Sequence, residues 1–247
     1  MKNRSLLFLI LGIAIFFSCK NEARMNAKTQ NQISEVSDKE NSTEIILFDG
    51  TNTEDWRVFN GTEFPDNWSI EEGTLKCDGT AATIENGGDL VYVKAFENFE
   101  LSLEWKISSG GNSGIFYHIV EGKEYHAPYQ TGPEYQILDD AGFPELNHLE
   151  LSGADYAMYP SAPSKKTIKP VGEWNTSKIV FTPVRTEHWL NGQKVVEFVP
   201  WSEEWKAKKA ASKWNSEANY GAAKTGLIGL QDHGQPVWYR NIRIKEL

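Results

Sequence analysis

The chain has 247 residues, with 34 acidic against 25 basic side chains and a net charge of −9. That balance disfavours nucleic acid and other polyanions as partners. Nine Trp, nine Tyr and twelve Phe make it rich in aromatics, which fill a β-sandwich core and also stack on sugar rings.

The chain opens with Lys2 and Arg4, followed by the apolar run Ser5 to Phe17. The run is too short to span a bilayer and suits the core of a signal peptide, so residues 1–18 are expected to be removed. Ser18-Cys19 directly after it resembles a bacterial lipoprotein cleavage site, although Phe16 and Phe17 are bulkier than the usual residues there. On that reading Cys19 becomes a lipidated N-terminus that ties the protein to the membrane of the cell envelope. The alternative is a plain secretory signal with an incidental cysteine. Residues 20–43 are polar and lack aromatics, so 19–43 reads as a lipidated cysteine and flexible tether. Cys77, left without a partner, is expected to be a small buried hydrophobe and not half of a disulfide.

From Glu44 to Leu247 the pattern is that of one all-β domain. Short β-rich runs recur at Glu44–Phe48, Trp68–Glu71, Thr74–Cys77, Leu90–Tyr92, Glu100–Ile107, Gly114–Val120, Glu134–Leu138, Ser177–Thr182, Thr186–Leu190, Gln193–Val199, Thr225–Gln231 and Val237–Lys245. Gly, Asn, Asp and Pro clusters separate them. "HWLNGQKVVEF" predicts a hairpin turning at Asn191-Gly192. One segment departs from this rhythm: residues 202–214 predict a helical excursion, with Ser202 as N-cap and Glu203 and Glu204 in the first turn. It is expected either to cover the core or to overhang a cleft.

Strand alternation picks out the polar residues with chemical potential. In "GPEYQILDD", Tyr135 and Ile137 face the core, which puts Glu134 and Gln136 on the opposite face. In "GNSGIFYHIV", Asn112, Gly114, Phe116 and His118 share a face. In "GLIGLQDHG", Ile228 and Leu230 point inward, so Gln231 and His233 point the other way. If these strands are neighbours, Glu134, Gln136, His118, Gln231 and His233 line one concave surface; otherwise they form an ordinary solvated sheet face. Tyr156 lies on a long loop of the kind that walls a cleft. Arg240 alternates with the buried side of its strand unless Asn241 marks a bulge, and is either a ligand contact or a structural partner of Asp232.

Some chemistries are disfavoured. There is no Gly-x-Ser-x-Gly elbow, no phosphate-cradling glycine loop and no His-Glu-x-x-His motif. The five histidines are scattered, which argues against a His-rich metal cage and leaves an isolated divalent-metal site open. A double-displacement glycosidase needs two carboxylates across the scissile bond, and the face carrying Glu134 continues with Gln136 and Leu138.

"LFDGTNTEDW", "GNSGIFYH", "GPEYQILDD", "GEWNTSKIV", "HWLNGQKV" and "GLIGLQDHGQPVWYRNIRIKEL", in that order, resemble the 3-keto-disaccharide hydrolase domain family over essentially all of 44–247. The resemblance implies a concanavalin-like jelly-roll sandwich of two antiparallel sheets, with a site for carbohydrate on the concave face. It also implies a substrate that accounts for the missing carboxylate. A ketone at C3 makes the C2 proton acidic, so one base can start an elimination at C1 that water completes. Glu134 is then the base, with His118 or His233 sharing acid–base duty. Gln136, Gln231, Arg240, Asn112 and Tyr156 are the expected sugar contacts. The competing reading is a carbohydrate-binding surface lipoprotein without catalysis, since such sandwiches serve both roles.

Overall fold

The computed structural model describes residues 44–81 and 87–247. The expected leader, the Cys19 lipidation site and the tether lie outside the described residues. Two antiparallel sheets pack face to face as a jelly-roll sandwich. The larger sheet runs in the order β11 (Gln193–Phe198), β10 (Arg185–Leu190), β9 (Asn175–Thr182), β6 (Phe99–Ile107), β13 (Val237–Glu246), β4 (Thr74–Cys77) and β3 (Trp68–Glu71), and β1 (Glu44–Phe48) also pairs with β13. The smaller sheet runs β2 (Trp56–Val58), β5 (Leu90–Tyr92), β12 (Leu227–Leu230), β7 (Asn112–Ile119) and β8 (Glu134–Leu138).

The core follows from the alternation. In β6, Phe99, Leu101, Leu103, Trp105 and Ile107 are all buried while the residues between them are partly exposed. They meet Ile115, Tyr117, Tyr135 and Ile137 of the smaller sheet in one continuous apolar cluster. Buried polar groups tie the two layers together. Tyr135 donates its hydroxyl proton to the Trp189 carbonyl at 3.1 Å and accepts from Ser177 Oγ at 2.8 Å, and Ser177 Oγ accepts from Trp105 Nε1 at 2.8 Å. Hydrogen bonding removes the penalty that these groups would otherwise bring into the core.

Turn chemistry closes the edges as predicted. Asn191 and Gly192 both have positive φ, +47° and +77°, as the tight turn joining β10 to β11 requires. Cys77 is a free, buried thiol whose pKa burial raises. The helical excursion comprises α1 (Glu203–Ala211) and a 3-10 turn at Lys213–Ser216; Ser202 Oγ caps α1 by accepting from Trp205 N at 3.2 Å. Trp205 and Trp214 enter the core cluster, and Trp214 stacks on Tyr220 with centroids 4.5 Å apart. The excursion thus covers the core with its tryptophans and, as the site shows, overhangs the cleft with Lys213. Among the described residues no helix is long and apolar enough to cross a membrane.

Two bulges change which way side chains point. Asn241 has φ +53° and shifts the register of β13 against β6, so Tyr239 and Ile242 are both buried and Arg240 turns outward. In β7 the pairing with β12 shifts between Leu227 and Gly229, and His118 opposite takes φ +54°. Tyr117 and His118 both end up against core rings, and Ile119 joins Val91 and Phe116 on the other face.

Candidate active site

The outer face of the smaller sheet presents two rows of side chains across its strands. Pairing of Gly114 with Gln136, of Leu230 with Ile115 and of Leu230 with Leu90 aligns Gln136, Gly114, Gln231 and Asp89. The adjacent row is Glu134, Phe116, Gly229 and Val91. The loop after β8 extends this face. Tyr135 bridges to Asp155, and Tyr156 N donates to the Glu134 carbonyl at 2.9 Å, which sets Tyr156 beside Glu134.

Glu134 dominates the electrostatics. It is 4 % exposed, and among the described residues no donor bonds its carboxylate. Burial, together with the charges of Asp89 and Asp155, pushes its pKa up to about 8, while Lys213 pulls the other way. Gly114 makes room for it, because a Cβ there would lie 2.2 Å from Glu134 Oε1. Asp89 is half-buried and accepts from Asp232 N at 2.9 Å; burial raises it to about 7. Two carboxyls poised near neutrality therefore share one face. Strand alternation identified Glu134 but not Asp89, which precedes the three-residue β5 and belongs to no readable pattern.

The amides complete the floor. Gln136 Nε2 donates to Asn112 Oδ1 at 3.3 Å. Gln231 N donates to the Gly114 carbonyl at 3.0 Å, and Gln231 Oε1 is buried without a partner among the described residues. An unpartnered buried acceptor is held ready for an incoming hydroxyl. Beside Glu134 stands an aromatic wall. Trp214 Nε1 donates to the Tyr156 carbonyl at 2.9 Å, and Lys213 Nζ lies 4.2 Å from the Tyr156 ring centre and 4.4 Å from that of Trp214.

Comparison with known proteins places the chain in a family. Residues 43–245 match the model of the 3-keto-alpha-glucoside-1,2-lyase-like domain, nearly the whole described chain. The chain belongs to that family. A relative from Bacteroides thetaiotaomicron named 3-keto-disaccharide hydrolase is 37 % identical over 228 residues, covering 82 % of this chain and 78 % of its own. A Parabacteroides distasonis crystal structure, described as a candidate glycosyl hydrolase, is 39 % identical with a TM-score of 0.76, over 83 % of this chain and 94 % of its own. A second from the same organism is 27 % identical with a TM-score of 0.61, over 83 % and 100 %. At the family level this lyase-like domain is a glycoside-cleaving enzyme and not a binding module alone.

Of the residues expected in the site of this lyase-like domain, Glu134, Gln136, Gln231, Asn112 and Tyr156 come together and three others do not. His118 is turned to the inner side by its bulge, where Nε2 donates to the Glu97 carbonyl at 2.8 Å and the ring packs 4.2 Å from Phe181. Burial lowers its pKa to about 4, so it is a neutral core residue. His233 is exposed beyond the end of β12, past the row that carries Gln231. Arg240 lies on the outer face of the larger sheet, where Nε and Nη2 donate to Glu104 Oε2 at 2.9 and 2.7 Å and the guanidinium covers Trp174 at 4.0 Å.

The expected Arg240–Asp232 pair is thus replaced by Arg240–Glu104. Asp232 instead accepts from Asn67 Nδ2 at 2.8 Å and from Ala81 N at 3.1 Å. An open trough of about 610 Å³ lies beside Arg240, lined by Glu104, Lys178, Trp189 and Asn241, but Glu104 there already binds both Arg240 and Asn241. Among the described residues no three His, Cys, Asp or Glu side chains gather as a metal site.

Proposed function

We propose that this domain cleaves 3-keto-glycosides by elimination and hydration, with Glu134 as the base. The observation that carries the reading is the buried, unbonded Glu134 carboxyl, held near pH 8 on a face floored by amides. The B. thetaiotaomicron relative's name supplies the substrate class. In the first step Glu134 takes the C2 proton, and the electron pair of that C–H bond moves towards the C3 carbonyl as an enolate. The enolate then collapses, a double bond forms between C1 and C2, and the C1–oxygen bond breaks. Asp89, which titrates near neutrality, supplies the proton to the departing oxygen. Water adds to C1 of the resulting enone and a proton returns to C2. Gln231 Oε1 and the Gln136 amide hold hydroxyls of the sugar, and Tyr156 walls the ring. Asp89 takes the acid–base role for which His118 and His233 were the expected candidates.

The test is turnover of an aryl 3-keto-glucoside beside the unoxidised glucoside. Release from the keto sugar alone is expected, since only the ketone makes C2 acidic. Glu134→Gln is expected to lower kcat by about 10²–10⁴-fold, the range of a positioned proton-transfer group. Full activity in that variant would end the assignment.

We further propose that Cys19 carries lipid and that the enzyme acts from the cell envelope, on the strength of the apolar run ending at Ser18-Cys19. Incorporation of a labelled fatty acid, lost in Cys19→Ala, is the expected result; equal labelling of both proteins would exclude it.

A further inference from the structure

Lys213 is carried to the site by the 3-10 turn after α1, and not by any strand that builds the floor. The residue is exposed, and its ammonium lies 4.2 Å from the Tyr156 ring centre and 4.4 Å from that of Trp214. Tyr156 is the cross-strand neighbour of Glu134, joined through the 2.9 Å bond from Tyr156 N to the Glu134 carbonyl. Trp214 is fixed in turn by its 2.9 Å bond to the Tyr156 carbonyl. Two anchored rings therefore hold one cation on the side of the sheet that carries Glu134, on a flexible four-carbon stem.

We propose that Lys213 is a working cation of this active site, its ammonium facing the Glu134 carboxylate before proton transfer and the sugar's C3 oxygen after it. The inference rests on the reading of Glu134 as the base. Its logic is charge conservation. When Glu134 takes the C2 proton it becomes neutral, and the negative charge passes to the C3 oxygen. A cation between the two serves both states and needs to move only by the reach of its own side chain.

The other groups around Glu134 do not fill that role. Asp89, just before β5, and Asp155 from the loop after β8 are acids that oppose its ionisation. Tyr156, Tyr220 and Tyr239 feel its charge and are themselves neutral phenols. Lys213 is the cation, and partial desolvation of its ammonium lowers its own pKa against the opposing pull of Glu134 and Glu150. A purely structural reading makes Lys213 a staple that holds the excursion on the rings; such a staple affects stability and KM but not the ionisation of Glu134.

Lys213→Met keeps the stem on the rings and removes the charge. With a 3-keto-glucoside it is expected to lower kcat by about 10²–10³-fold, as loss of one charge-stabilising group does. KM should change little. The acid limb of the kcat/KM profile, which reports Glu134, should move to higher pH. Lys213→Arg should restore the limb and most of the rate. An unmoved limb, or an Arg variant as slow as the Met variant, overturns the proposal.

Glu134→Gln is measured in parallel. If it stays fully active, the base assignment has failed and the proposal falls with it. If it is inactive while the Lys213→Met limb is unmoved, only the role of Lys213 has failed. A carbon-detected NMR titration of the Glu134 carboxyl in Lys213→Met and Lys213→Arg needs no turnover and guards against a damaged fold. A higher pKa in the Met variant alone is expected; equal values in the two overturn the proposal.

Discussion

A methyl group at Gly114 would fall 2.2 Å from Glu134 Oε1 and 2.8 Å from its Cγ and Cδ. The obstructed atoms are the far end of a flexible side chain and not backbone, so Gly114→Ala displaces the carboxylate without breaking the sheet. We predict that it lowers kcat by about 10²-fold or more, since small misplacements of a catalytic group carry such penalties, while the melting temperature shifts by only a few degrees. Kinetics and a thermal melt on the same preparation check this. At this scale the sequence was readable where strict alternation held. Glu134 and Gln136 follow from Tyr135 and Ile137 being core. It misled at His118, because one residue at φ +54° reverses the parity of everything after it. Asp89 and Lys213 were not legible, since each reaches the site through pairing or packing between segments far apart in the chain.

Elements differ in how locally they are specified. The β10–β11 hairpin and the strand β6 are written in their own residues, through Asn191-Gly192 and an unbroken apolar alternation. The bulge in β13 was legible only as a condition attached to Asn241, because a bulge is decided by the partner strand as well as the bulged one. Helix α1 is locally capped but packs through only a few residues, with Trp205 its one buried side chain. Its start therefore depends on Ser202. Ser202→Ala is expected to destabilise by about 1 kcal/mol, the usual worth of an N-cap, and to lower the melting temperature by about 2–4 °C for a domain of this size. Calorimetry measures it. An unchanged melt would show that Trp205 and Trp214 alone hold the excursion.

The whole molecule carries a pH dependence whose sign is fixed by its buried groups. Glu134 titrates near 8 when folded against an ordinary value of 4.5, and Asp89 near 7 against 3.8. Between these limits the folded chain holds protons that the unfolded chain has lost, so stability falls as pH rises and this contribution is gone above about pH 8. His118 and His188 act in the opposite sense. Burial lowers each to about 4 from 6.5, so their contribution is complete above pH 6.5 and is lost as pH falls towards 4. Above pH 6.5 the histidines no longer add to the slope. We predict that the urea midpoint declines from pH 6.5 to 9, and that Glu134→Gln flattens much of the decline. A wild-type midpoint constant over that range would contradict the burial of Glu134.

The pairing of β1 with β13 also has a mechanical meaning. Glu44 opposes Lys245 and Phe48 opposes Ile242, so the first residue of the domain lies at the open end of that ladder. Tension applied at Glu44 meets the rungs one after another and peels β1 like a zip, a low-force geometry compared with shearing all of them at once. The chain reaches β2, and through it the sheet bearing Glu134, only after β1 has come away. Under load, β1 is a fuse that yields before the cleft does.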